Sequence, residues 1–233
     1  MNLTKVEYKA DVALAGYLAD GSRGAPAPGV LIAHEAPGLT EQVKRRALML
    51  AELGYVAFAL DLYGQSDLPI AEAQKQSQAV MADARKLRQR ARAALDVLAA
   101  HPNCDSSRIA AIGFCLGGIV ALELARDEAP IQCAVAFHPG LMRPVGSTTG
   151  KLSAKILAMC GESDPVVSAE DRANFIQEMT AARADWQLLI LGGVGHSYTN
   201  PEINALGLKG FAYDRQADRR AWRAMLNLFD EVF

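Results

Sequence analysis

The chain has 233 residues, of which 51% are hydrophobic, enough to bury one large core without a second domain. Its 26 acidic and 24 basic residues leave a net charge of −2, which provides no field for capturing nucleic acid or an anionic membrane surface. The four cysteines, Cys104, Cys115, Cys133 and Cys160, show neither paired nor metal-ligand spacing, as expected of reduced cytosolic thiols. Met1 to Ala10 has no apolar signal core, and no apolar stretch is long enough to span a bilayer.

In chain order, Leu3 to Lys9 and Val12 to Ala19 alternate as an antiparallel pair at one sheet edge. A loop rich in glycine, alanine and proline, Asp20 to Pro28, leads into a strand from Gly29 to His34. A helix from Leu39 to Leu53 and a strand from Tyr55 to Leu60 follow, then one long helical pattern from about Ile70 to Ala100. The basic run Arg85 to Arg92 within it reads as a solvated helix face. Next come a buried strand at Arg108 to Ile112, a helix from Leu116 to Arg126 and a strand from Ile131 to Phe137. The polar segment Leu141 to Gly150 reads as a mobile loop beside a pocket. Strands at Lys155 to Cys160 and Trp186 to Leu191 precede a last helix from about Gln216 to Phe229. Such alternation predicts a single α/β domain over 1–233, a mostly parallel sheet flanked by helices. No separate cap domain fits between Phe137 and Lys155, so access should be open and suited to small molecules.

The chemistry is announced by Gly113-Phe114-Cys115-Leu116-Gly117, at the junction of a predicted strand and helix. In a G-x-nucleophile-x-G turn, small residues let the backbone bend sharply, lifting the nucleophile above the sheet edge and aiming the next amide, here that of Leu116, at a developing oxyanion. The helix N-terminus also favours thiolate over thiol. Gly161-Glu162-Ser163-Asp164-Pro165 would present Asp164 at the sheet's carboxyl edge, and Gly192 to Gly195 gives a loop ending in His196. The order nucleophile, acid, histidine suits attack by Cys115, proton transfer by His196 and orientation of the ring by Asp164. Glu162 is the rival acid. His138 is the rival base, but it precedes the acid in the chain and is expected instead to line the pocket.

These motifs resemble the dienelactone hydrolases, the cysteine-nucleophile branch of the α/β-hydrolases. The resemblance runs through His34-Glu35-Ala36-Pro37-Gly38-Leu39, Asp61-Leu62-Tyr63-Gly64, Gly113 to Gly118, Gly161 to Pro165, and Gly195-His196-Ser197-Tyr198. It implies the same triad of Cys115, Asp164 and His196, a role for Glu35 in switching thiol to thiolate, and a second oxyanion donor in the Ala36 amide. Tyr63, His138, Tyr198 and Asn200 are expected around the substrate. A cytoplasmic hydrolase is implied, needing no cofactor or metal.

The expected reaction is hydrolysis of small lactones or activated enol or aryl esters through an acyl-thiol intermediate. Neutral organophosphate triesters are an alternative for the same thiolate, and a non-turnover ligand receptor or thiol sensor is the alternative outside catalysis. Family members hold a substrate carboxylate with arginines, one of them a few residues past the histidine, where this chain has Asn200, and another after the Asp61 to Gly64 segment, where no arginine occurs before Ala84. Uncharged substrates are therefore expected, since a buried carboxylate without a charged partner is costly.

Overall fold

The computed structural model describes residues 1–65 and 68–233. The strands are β1 (Thr4–Lys9), β2 (Ala13–Asp20), β3 (Ala27–Ala33), β4 (Val56–Ala59), β5 (Cys104–Phe114), β6 (Cys133–Phe137), β7 (Lys155–Gly161) and β8 (Trp186–Leu191). The helices are α1 (Glu41–Glu52), α2 (Ile70–Met81), α3 (Ala84–Ala99), α4 (Leu116–Arg126), α5 (Ala169–Ala181) and α6 (Arg215–Val232), with a 3₁₀ turn at Pro201–Leu206. One eight-stranded sheet has the order β1-β2-β4-β3-β5-β6-β7-β8. β2 pairs antiparallel with both β1 and β4, and the pairings from β4 through to β8 are parallel.

Alternation along the central strands splits the core in two, as a period of two requires when both faces are covered. Leu31 and Ala111 face α3, α4 and α5, in a layer with Leu87, Leu95, Val120 and Phe175. Val30, Ile32, Ala110 and Ile112 face α1 and α6, in a layer with Val43, Leu50, Met225 and Phe229. Every residue of α4 is buried, which is why this helix can hold the elbow rigidly.

Three expectations are corrected. The helical pattern from Ile70 to Ala100 is two helices, because Asp83 turns out of helical geometry and its carboxylate caps α3 by accepting from the amides of Arg85 and Lys86. The basic run is not simply a solvated face. Arg90 grips the Asp11 carboxylate through two bonds of 2.7 and 2.8 Å and the Leu62 carbonyl at 2.6 Å, Arg88 reaches Glu123, and Arg92 reaches Asp127. Segment 141–150 is anchored rather than loose: Val145 exchanges backbone bonds with Met81 and Ala84, and Ser147 donates to Glu123. Among the described residues no helix is long and apolar enough to cross a membrane, and all four cysteines are free.

Candidate active site

Cys115 occupies the turn between β5 and α4 with φ 53° and ψ −113°, a backbone region that L residues rarely adopt. The elbow needs its glycines. A Cβ on Gly113 would strike the Gly117 carbonyl, and one on Gly117 would strike the carbonyl of Ala33 at the end of β3. Two partners pin the Cys115 amide, which donates to Phe137 O at 3.0 Å and to His138 Nδ1 at 3.2 Å. Leu116 is the first helical residue, so its own amide has no partner inside α4.

His196 arrives on the loop after β8, held by backbone bonds to Gly210 and Ala212. Its Nδ1 lies 2.8 Å from Asp164 Oδ2, while Asp164 Oδ1 accepts from the Val166 amide at 2.8 Å. Both side chains are buried. Burial opposes charge on the ring, but the neighbouring Cys115 sulfur and the Asp164 carboxylate together push the imidazole up to about 10. Nε2 of His196 is buried and closes no hydrogen bond among the described residues within ordinary distance limits, while the Cys115 sulfur is near enough to raise the ring's proton affinity. Glu162, the rival acid, is exposed and accepts from Ser163 instead.

Glu35 sits beside this pair in a buried position. Its Oε2 accepts from Asn200 Nδ2 at 2.7 Å, and its Oε1 has no partner among the described residues. Burial pushes its carboxyl above the ordinary carboxylate range, opposed by the Asn200 hydrogen bond and by the charge of His196. Asn200 spends its other atom on the 3₁₀ turn, where Oδ1 accepts from the Glu202 amide. Asn200 is thus a clamp on Glu35. The loop from Glu35 onward carries the Ala36 amide and closes through Gly38 N donating to Glu35 O at 3.0 Å.

The expected pocket lining divides. Tyr63 is almost buried, with its ring edge-on to His34 and its hydroxyl 3.3 Å from Ser77 Oγ. Burial and the nearby Cys115 charge both raise its phenol, so it stands near the sulfur. His138 and Tyr198 have no exposed surface, so neither lines the pocket; both lie beneath the elbow, their rings edge to face at 5.0 Å. His138 cannot serve as the base, since its Nδ1 accepts from Cys115 and its Nε2 is 2.8 Å from Thr199 Oγ1. Burial, His196 and Arg46 hold its proton affinity well below the ordinary imidazole range.

Sequence reasoning missed a buried polar support on α1. Gln42 reaches Thr199 Oγ1 at 3.4 Å, and Arg46 joins the Thr199 carbonyl at 2.8 Å to Asp218 of α6 at 2.7 Å. Gln42 and Arg46 stand four apart beside the apolar Val43, Ala47 and Leu50. Polar residues placed on a helix's buried stripe were the available signal.

A mostly parallel sheet flanked by helices, with a strained nucleophile turn after a central strand and a histidine on the loop after the last strand, defines an α/β-hydrolase. The profile of the dienelactone hydrolase family matches residues 14–233. A Bradyrhizobium protein named "Probable 2-oxo-3-(5-oxofuran-2-ylidene)propanoate lactonase" is 30% identical, covering 73% of each chain. A "Putative carboxymethylenebutenolidase" of Yersinia pestis is 25% identical over 88% of this chain and 79% of that one. The crystal structure of P91, a dienelactone hydrolase-like promiscuous phosphotriesterase from metagenomic libraries, superposes with a TM-score of 0.94 at 39% identity, covering 100% of this chain and 98% of that one. The chain belongs to the dienelactone hydrolase family.

Proposed function

We propose that the protein hydrolyses small, uncharged lactones or activated esters with Cys115 as nucleophile. The observation that carries the reading is the imidazole of His196, tied at 2.8 Å to Asp164 and pushed up to about 10 beside the Cys115 sulfur. Passage of the thiol proton to Nε2 of His196 gives a thiolate beside an imidazolium. The sulfur attacks the substrate carbonyl carbon, and the carbonyl electron pair moves to oxygen, where the amides of Leu116 and Ala36 hold it. Collapse forms the thioester and expels an alkoxide, enolate or phenolate, which takes the Nε2 proton of His196. Neutral His196 then takes a proton from water as its oxygen bonds to the acyl carbon. The second collapse breaks the carbon–sulfur bond, releases the acid and restores the ion pair.

Preference for uncharged substrates rests on the charges around the site. Asn200 stands at the place the resemblance gives to an arginine and commits its amide to Glu35. Arg143 is turned to Ser147 and Glu178, and Arg85 lies exposed beside Asp83. A buried substrate carboxylate would meet the carboxyl of Glu35 without help from Arg85 or Arg143. The test compares kcat/KM for dienelactone with its methyl ester and a neutral aryl ester, using Cys115→Ala as the blank. Preference for the neutral compounds is expected, and a clear preference for the free acid would overturn it.

The likeness to P91 favours a second activity, hydrolysis of neutral organophosphate triesters, in which the same thiolate would meet a phosphoryl centre. A phosphotriester in the same substrate panel tests it. Steady release of p-nitrophenol from its acetate beyond one equivalent per chain separates an enzyme from a receptor or thiol sensor, which would stop at a single labelling event.

A further inference from the structure

Five residues other than glycine have left-handed backbone among the described residues: Cys115, Glu128, His138, Arg183 and Ser197. Glu128 and Arg183 each follow the cap that ends a helix, α4 and α5 respectively, where left-handed geometry is ordinary. The other three stand at the site. Cys115 has φ 53°, His138 φ 38° and Ser197 φ 53°. Their segments are bonded to one another, through the Cys115 amide to His138 Nδ1 at 3.2 Å and from His138 Nε2 to Thr199 Oγ1 at 2.8 Å.

We propose that His138 is a positioning residue that couples the nucleophile elbow to the catalytic-histidine loop through one neutral imidazole, a role that rests on the hydrolase reading above. Donor and acceptor logic fixes the tautomer. An amide N–H can only donate, so Nδ1 must be unprotonated, and the ring proton sits on Nε2 and is donated to Thr199. A protonated Nδ1 would set donor against donor at the Cys115 amide.

The ring's surroundings enforce this arrangement. His138 has no exposed surface and packs against the rings of His196 at 5.2 Å, Tyr198 at 5.0 Å and Phe114 at 6.1 Å. Thr199 is in turn anchored to α1 by Arg46 and Gln42, and through Arg46 to Asp218 on α6. The strained cysteine and the loop carrying His196 therefore share one buried brace. Without it, the Cys115 amide keeps only Phe137 O and the His196 loop only its bonds to Gly210 and Ala212, so nothing in this brace holds the sulfur in register with the imidazole.

The test uses the whole protein and two readouts. One is the alkylation rate of Cys115 by iodoacetamide, selective because the other three cysteines are buried. The other is the division of effect between kcat and KM on a neutral aryl ester. His138→Leu, folded by circular dichroism, should lower alkylation and kcat by roughly 100-fold with KM changed less than about threefold. His138→Asn restores an acceptor near the Nδ1 position and should recover at least about tenfold of that loss.

Asparagine also tolerates left-handed backbone, so Thr199→Val separates the hydrogen bond from the backbone effect. It leaves His138 in place, keeps the side-chain shape, and should lower both alkylation and kcat about five- to tenfold. Wild-type values for a folded Thr199→Val, or a His138→Leu as active as His138→Asn, would overturn the proposal. If the ester chemistry is wrong, the wild type fails to turn over while the alkylation arm still reports on the brace.

Discussion

Helix α4 carries buried charge at both ends, and the two ends treat it oppositely. Toward its C-terminus, Glu123 accepts from Arg88 at 2.8 Å, Arg126 at 2.9 Å and Ser147 at 2.8 Å. Arg126 also grips Glu178 through two bonds, of 2.9 and 2.8 Å, and Thr149 completes Glu178. Around the N-terminal end, Glu35 Oε1 and His196 Nε2 are both buried and close no hydrogen bond of ordinary geometry among the described residues. A satisfied network fixes how α3, α4, α5 and segment 141–150 meet, whereas unfilled bonding capacity beside a strained cysteine is what a reacting molecule would complete in the hydrolysis proposed above. The same fold thus saturates buried charge at one end of α4 and leaves bonding capacity open at the other.

The largest expected effect breaks the reactive end alone. Cys115→Ala should lower kcat/KM by on the order of 10⁶-fold, and Asp164→Asn by about 10⁴-fold, with the folded state intact. Retained activity in Cys115→Ala, measured against a synthesised blank without enzyme, would remove the sulfur from the mechanism. The complementary break is Arg126→Met, which takes one guanidinium from both Glu123 and Glu178 while Arg88, Ser147 and Thr149 remain, and should cost about 1–3 kcal/mol of stability. Chemical denaturation reads that loss, while kcat of the remaining folded protein should stay near wild type. A large fall in kcat for folded Arg126→Met would show that the two ends of α4 are not separable.

This division explains what could be read from residues alone. The turn at Cys115 and the pairing of Asp164 with His196 are legible because an elbow and a chain order are local patterns, each carried by a few consecutive residues. The saturated end was not, since Arg88 and Glu123 are 35 residues apart and Arg126 and Glu178 are 52 apart. Helical periodicity likewise overran the break at Asp83, where a side-chain cap outweighs the repeat. The loop Ser197-Tyr198-Thr199-Asn200 was the hardest stretch. Left-handed Ser197 turns the chain so that Tyr198 and Thr199 both point inward, and no alternation rule anticipates two neighbours buried together. Chain position puts His138 among the loops around the pocket, whereas its neighbours in space place it beneath Cys115.

Acidity offers a smaller, sharper probe of the reactive end. His196 is raised in the fold from an ordinary value of 6.5 to about 10. Below about pH 6.5 the folded and unfolded chains both hold the proton, and the stabilisation is fully present. Between there and about 10 only the folded chain holds it, so the imidazole's contribution to stability falls as pH rises through that window. Asp164→Asn removes the carboxylate's share of the shift and should make that decline shallower, by a few degrees of Tm between about pH 7 and 10. Parallel Tm curves for the two proteins would assign the raised imidazole to the Cys115 sulfur.

The smallest expected effect concerns Glu35, the carboxyl whose second oxygen is left without a partner. Its Oε2 is held by Asn200, so Glu35→Gln can keep that hydrogen bond through the new amide oxygen while losing the capacity for charge. The charges of Glu35 and His196 attract, which opposes the upward shift that burial imposes on Glu35 and by reciprocity supports the proton on His196. Removing the carboxyl should therefore lower the His196 midpoint slightly, since Asp164 and the Cys115 sulfur remain in place. Titration of the imidazole by NMR reads it directly, and the pH profile of Cys115 alkylation should move the same way, with kcat/KM kept within about tenfold. Asn200→Ala frees the same carboxyl without removing it, so the two variants should diverge. If both leave the imidazole midpoint and the alkylation profile at wild-type values, Glu35 fills space at the end of β3 and the role in setting the thiol's state falls away.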